Sequence, residues 1–221
     1  MEMAGRQPFA SDIRKTARIE ATGSATESMF GIGAAVLAII GLIGGYPILM
    51  ATIATIAIGA ALFFHGGAMG ARYNRLAAIT TENKYQANEL GGSISVEMLG
   101  GIAGIALGIL ALLGIATQTL IPAAVVTFGV SLLLGAGALD RLNQLVSIVW
   151  NDESAKRIAN NASQTVMGLQ VLVGLAAVAL GVLALIGIYP LTLCLVALLS
   201  IGAVDFFAGS TFSAGMARAF R

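Results

Sequence analysis

The sequence predicts an all-α, polytopic membrane helix bundle: six transmembrane helices built as three tandem helical hairpins. Three observations carry this prediction. Hydrophobic residues form 57% of the 221-residue chain and charged residues only 10%, whereas soluble domains carry roughly 25% charged residues. Six apolar stretches each approach the ~20 residues that cross ~30 Å of hydrocarbon. All 12 Lys and Arg residues lie outside those stretches. The mean hydropathy of +0.90 agrees. Gly is abundant at 28 residues while Pro is held to 4, a balance that suits closely approaching membrane helices.

The apolar stretches fall near 28–44, 47–69, 96–116, 120–139, 166–187 and 190–212. Three connections are short and uncharged: Gly44-Gly45-Tyr46-Pro47, Ala116 to Ile121, and Gly187-Ile188-Tyr189-Pro190. Gly and Pro break the helix there, and a short break forces an antiparallel hairpin. Tyr46 and Tyr189 suit a membrane–water interface, each an apolar ring with a polar tip. The other two connections, about 70–95 and 140–165, are longer and charged.

With six crossings, every Lys and Arg stands on one side. The positive-inside rule predicts that this side is cytoplasmic, with both termini there. The division expected is a polar cytoplasmic arm over 1–24, a transmembrane domain over 25–215 with repeats at about 28–75, 97–145 and 170–215, and a tail over 216–221. The arm has no apolar core of the signal-peptide kind and is expected to be retained. Within it, Ser11-Asp12 could cap a short helix through Glu20. Residues 71–90 read as a polar continuation of the second helix. Residues 142–150 fit either a short interfacial helix or the tail of the fourth span. Asp140-Arg141 reads as the polar end of that span.

An internal repeat organises the chain. Gly31, Gly101 and Gly174 open similar runs at offsets of 70 and 73 residues. The same offsets align Gly44, Gly114 and Gly187 at the bends, and Gly59, Gly129 and Gly202 in each second helix. Tyr46-Pro47 and Phe63-Phe64 match Tyr189-Pro190 and Phe206-Phe207. In the middle copy Ala116-Thr117 replaces Tyr-Pro and Leu133-Leu134 replaces Phe-Phe. The copies run in one direction, unlike inverted transporter repeats. They could pack around a pseudo-threefold axis along the membrane normal. The six repeat glycines are the expected helix-packing positions, as are Gly101, Gly104 and Gly108, and Gly66 with Gly70.

The segment from Leu107-Gly108 to Gly114, through Pro122 to Gly129 and Gly137, resembles the HdeD-type family of bacterial short-repeat membrane proteins. So does its third-copy counterpart from Leu180-Gly181 through Pro190 to Gly202. The resemblance covers about residues 28–215. It implies a bacterial inner-membrane location and, in one branch, a part in acid resistance. It implies no catalytic residues.

Ionisable groups inside a membrane are costly and so become functional candidates. Asp205 lies 15 residues past Pro190, ~22 Å along a helix, and aligns with Leu62 and Leu132. It reads as a proton or cation site facing the bundle interior, or as a hydrogen-bonded or snorkelling acid near the inner interface. Glu27, Glu97 and Gln170 are equivalent under the repeat. They could form a polar ring, or simply sit at three helix starts where the dipole favours acids. His65, the only histidine, could pair with Asp205 or Glu97, or serve as an interfacial hydrogen-bonding group. A lone histidine without nearby Cys makes a poor metal site. Cys194 reads as a small core residue and cannot form an internal disulfide.

No catalytic constellation, metal set or nucleotide motif is present, because catalysis needs convergent titratable groups. No cofactor is called for, although an apolar cleft for a lipid, quinone or pigment would leave no motif. The net charge of +1 gives no field for nucleic acid. The partners expected are the lipid bilayer and a homo-oligomer or larger membrane complex. Two functional readings stand: a non-catalytic stress-related or scaffold subunit, and a small channel or transporter with a polar inner vestibule. In the second, Thr52 and Thr55 would serve the outer half of a wet path.

Overall fold

The computed structural model describes the backbone of residues 7–79, 84–149 and 153–219, and the side chains of 25–70, 96–137 and 164–210. The described residues form six helices and no strand: α1 (Gln7–Leu42), α2 (Pro47–Ile79), α3 (Lys84–Leu112), α4 (Thr117–Val149), α5 (Glu153–Leu185) and α6 (Pro190–Ala219). Five carry apolar spans of 18 to 24 residues. In α3 the apolar part described is Val96–Leu112, ~25 Å long at 1.5 Å per residue and at the short end of what crosses a bilayer. The chain is therefore an integral membrane helix bundle.

The helices outrun their apolar stretches at the charged end. Ser11 and Asp12 lie inside α1 and do not cap a separate helix; α1 runs unbroken from Gln7 into the membrane. The second helix stops at Ile79, and Lys84 already begins α3. Residues 142–149 are the tail of α4, which carries Asp140-Arg141 within it. A fall in hydropathy marks where lipid ends, and the backbone hydrogen-bond ladder continues through it.

The three bends are the same structure made three times. Gly44, Gly114 and Gly187 take φ of +100°, +82° and +94°, which glycine adopts without a Cβ clash. Each closes its helix with paired bonds to the last turn. Gly45, Ile115 and Ile188 donate to the carbonyls five residues back, and the three glycines donate to those three back. This is the Schellman arrangement. The following residue, Tyr46, Ala116 or Tyr189, also has positive φ, at 46°, 40° and 37°. In the middle copy Thr117 stands where the others have Pro, and its hydroxyl donates to the Ala111 carbonyl at 2.9 Å. A non-glycine residue in this region is strained by about 1–2 kcal/mol. Replacing Ala116 with glycine should therefore stabilise the bundle by about 0.5–1 kcal/mol after the added backbone entropy. Ala116→Val should destabilise it. Thermal unfolding in detergent would show the two shifts with opposite signs.

Each helix packs on its two neighbours, and α1 closes on α6 to complete a ring. Helices α2, α4 and α6 also touch one another across the centre, while α1, α3 and α5 stand outside them. The expected pseudo-threefold arrangement is thus present. The repeat glycines make the closure. A Cβ on Gly31 would sit 2.8 Å from the Gly202 carbonyl oxygen, one on Gly101 would sit 2.6 Å from that of Gly59, and one on Gly174 would sit 2.9 Å from that of Gly129. The reverse contacts are equally tight. Each glycine's Cα–H thus points at the partner's carbonyl, a weak bond worth ~0.5–1 kcal/mol. Below them runs a seam of small residues at alternating spacings of three and four: Gly31, Ala34, Ala38 and Gly41 on α1, with Gly101, Gly104, Gly108 and Ala111 as counterparts on α3. Gly104 seats the Phe128 ring, Gly108 lies against Ile56, and Gly66 meets the Met98 backbone. These spacings serve packing within one chain.

The centre is filled in layers contributed by equivalent positions. Ala51, Ile121 and Cys194 form one; Thr55, Val125 and Leu198 the next; then Ile58, Phe128 and Ile201. All nine are buried. The fourth layer is Leu62, Leu132 and Asp205, also buried. Thr52 and Thr55 donate back to the Leu49 and Ala51 carbonyls of their own helix at 2.8 and 2.7 Å. Their hydroxyls are satisfied there and offer no outer path to water.

Candidate functional site

The only ionisable acids and histidine in the described side-chain segments are Glu27, His65, Glu97 and Asp205, and these segments hold no Lys or Arg. The fold brings all four together from four helices. Glu27 and His65 stand 18 residues before and 20 after Gly45, so the antiparallel hairpin sets them at one height. His65 Nδ1 lies 2.8 Å from Glu27 Oε2. Its other nitrogen, Nε2, faces Glu97 Oε2 at 3.8 Å. Asp205 lies within electrostatic reach of Glu27, His65 and Glu97, with its Cβ against Gly31. Each of the four is more than nine-tenths buried.

Several expectations change here. Glu27, Glu97 and Gln170 are not at helix starts. They lie 20, 13 and 17 residues inside α1, α3 and α5, beyond the first turn where a helix dipole acts. Nor do they form a symmetric ring of like groups. In the first copy Glu27 meets His65. In the second, position 135 is glycine, and the Glu97 carboxyl occupies the space a Cβ there would fill, 2.8 Å from it. In the third, position 208 is alanine, and Gln170 keeps its Oε1 without a hydrogen-bond partner among the described residues. His65 approaches Glu97 as expected, but its close partner is Glu27. Asp205 is no snorkelling group; it is 2% exposed and replaces an apolar residue of the fourth layer.

The site is polarised in charge and in packing. Two carboxylate oxygens, Glu97 Oε1 and Asp205 Oδ2, have no hydrogen-bond donor among the described residues. Ser131 and Gly135 of α4 are uncharged neighbours in the second copy. Toward the bends, the first three layers, almost wholly apolar, extend ~10 Å from Ala51 to Ile58 along α2. Beyond them, a cavity of about 70 Å³ opens at the bend end, lined by Ile48, Gln118, Ile121, Pro190, Leu191 and Cys194 among others. Cys194 is buried, as a small core residue should be. Among the described residues, no group of three or more His, Cys, Asp or Glu side chains is arranged to hold a metal ion.

Comparison with known proteins finds no matching family model, no matching curated protein and no matching solved structure.

Proposed function

We propose that the chain is a non-catalytic integral membrane protein, working as an accessory or scaffold subunit of a membrane complex in the bacterial inner membrane. The packed centre carries this reading. Ile58, Phe128, Ile201 and their neighbours fill the space where a pore would run, and the glycine contacts close the ring around them. What remains for function is the lipid-facing surface and the charged end. The likeness to HdeD-type proteins adds a part in acid stress, with the charged end in the cytoplasm. Native mass spectrometry after mild detergent extraction tests the subunit role. A complex, of this chain with itself or with other membrane proteins, is expected. A strict partner-free monomer would count against it.

A second reading has its own observation, the convergence of three acids and a histidine at the charged end. That arrangement suits the inner vestibule of a small transporter. Proteoliposomes decide between the two. The filled centre predicts no flux of protons, alkali ions or small solutes above empty vesicles. Flux that Asp205→Asn abolishes would replace the first reading with the second.

A further inference from the structure

The four-residue cluster has a charge balance that the described side chains do not complete. Fully ionised, three carboxylates and one imidazolium would put a net charge of minus two in the bundle interior. Both nitrogens of His65 are already committed, one to Glu27 and one toward Glu97. Glu97 Oε1 and Asp205 Oδ2 remain, buried and without a donor among the described residues. Among the described side chains the other packed elements bring no ionisable group: α4 offers Ser131 and Gly135, with Asp140 and Arg141 following 5 and 6 residues past Gly135, and α5 offers Gln170. The nearest basic residues along the four helices are Arg72, Arg18, Lys84 and Arg218. They stand 7, 9, 13 and 13 residues from the cluster member on their own helix, or ~10 to 20 Å at 1.5 Å per residue. An uncompensated carboxylate in such a place is strongly disfavoured, and a buried acid takes up a proton instead.

We propose that this cluster is a proton-binding site inside the membrane, in which two protons at Glu97 and Asp205 stand where the described side chains supply no counter-cation. Each binding step forms one O–H bond on a carboxylate and breaks one in a hydronium ion, which is left as water, and nothing is oxidised or reduced. The exchange is one-sided. The apolar layers seal the cluster from the bend end, so protons enter and leave at the charged end. His65, held between Glu27 and Glu97, keeps the third carboxylate paired. The site does not depend on the subunit role proposed above, since a partner-free monomer would bind the same protons.

Infrared spectroscopy of the full chain in lipid nanodiscs, at neutral pH with choline as the only added cation, tests this. The expected result is a protonated-carboxyl stretch, separate from the carboxylate bands. It should fall by half in Glu97→Gln and in Asp205→Asn, and vanish in the double variant. Asp205→Leu, which restores the residue of the other two copies, should give the same half loss if the asparagine variant fails to fold. A wild-type spectrum without the band would overturn the proposal, as would a band that none of these substitutions changes. Loss of the band when sodium replaces choline would assign the site to an alkali cation and equally overturn it.

Discussion

Gly101→Leu should prevent the bundle from closing, and even Gly101→Ala should destabilise it by about 1–3 kcal/mol, the usual range for overpacking. The added Cβ would meet the Gly59 carbonyl oxygen and the Phe63 amide nitrogen, each at 2.6 Å. Both are backbone atoms of a neighbouring helix, so no side chain can rotate away. Relief requires α2 and α3 to separate, which forfeits the contacts above and below. In a membrane those contacts are the main source of helix association, because burial from lipid adds little. Gly67 and Gly33 provide the controls, since a Cβ on either meets nothing within 4 Å. Their alanine variants should match or slightly exceed wild type, by up to about 1 kcal/mol from helix propensity. Denaturant titration in mixed micelles, followed by circular dichroism, would rank the set. Equal stability of Gly101→Ala and Gly67→Ala would remove the glycine contacts from the account of the fold.

The second large effect is expected at His65. His65→Leu should cost about 3–5 kcal/mol, because breaking a buried pair strands its partner. The partner is Glu27, 2.8 Å away and nearly fully buried. Adding Glu27→Leu should return most of the loss, since an apolar pair of similar volume replaces an ionic one. The double-mutant cycle should give a coupling energy above about 1 kcal/mol, within the range of contacting groups. Effects that simply add would mean that the imidazole serves Glu97 or Asp205 more than Glu27.

The spans and bends were legible because their signals are local. Glycine before Tyr46-Pro47 and Tyr189-Pro190 punctuates the chain, and twenty apolar residues have few other uses. The glycine columns announced the interfaces, although not their pairing. That each first-helix glycine meets the second-helix glycine of the preceding copy needs the ring to be closed. Helix ends were harder. The polar residues of 7–24 read as an arm and those of 71–90 as a continuation of the second helix because composition reports solvent, whereas a helix depends on its backbone bonds. Ser11-Asp12 looks like a cap by residue type alone, but nothing ends there.

The polar cluster was half legible. Its members stood out because ionisable residues are rare in the spans, and the repeat placed Asp205 opposite Leu62 and Leu132. The Glu27–His65 partnership could have been read from their near-equal distances to Gly45. The equivalence of Glu27 with Glu97 and Gln170 drew attention to symmetry instead. The space left by Gly135 beside Glu97 had no signature, since it depends on which face of α4 meets α3.

Three free-standing hairpins could build the same ring, because its three interfaces are equivalent. Such a trimer would be bound to strict equality: an aspartate in one subunit would appear in all three, and the fourth layer would hold three facing acids. Joining the copies on one chain lifts that restriction. The first copy can then carry Glu27 with His65, the second Glu97 without a histidine, and the third Asp205, while the shared glycine contacts hold the frame unchanged. In that sense the two charged connections do more than link hairpins. They are what allows a nearly symmetric bundle to own a single, off-centre polar site.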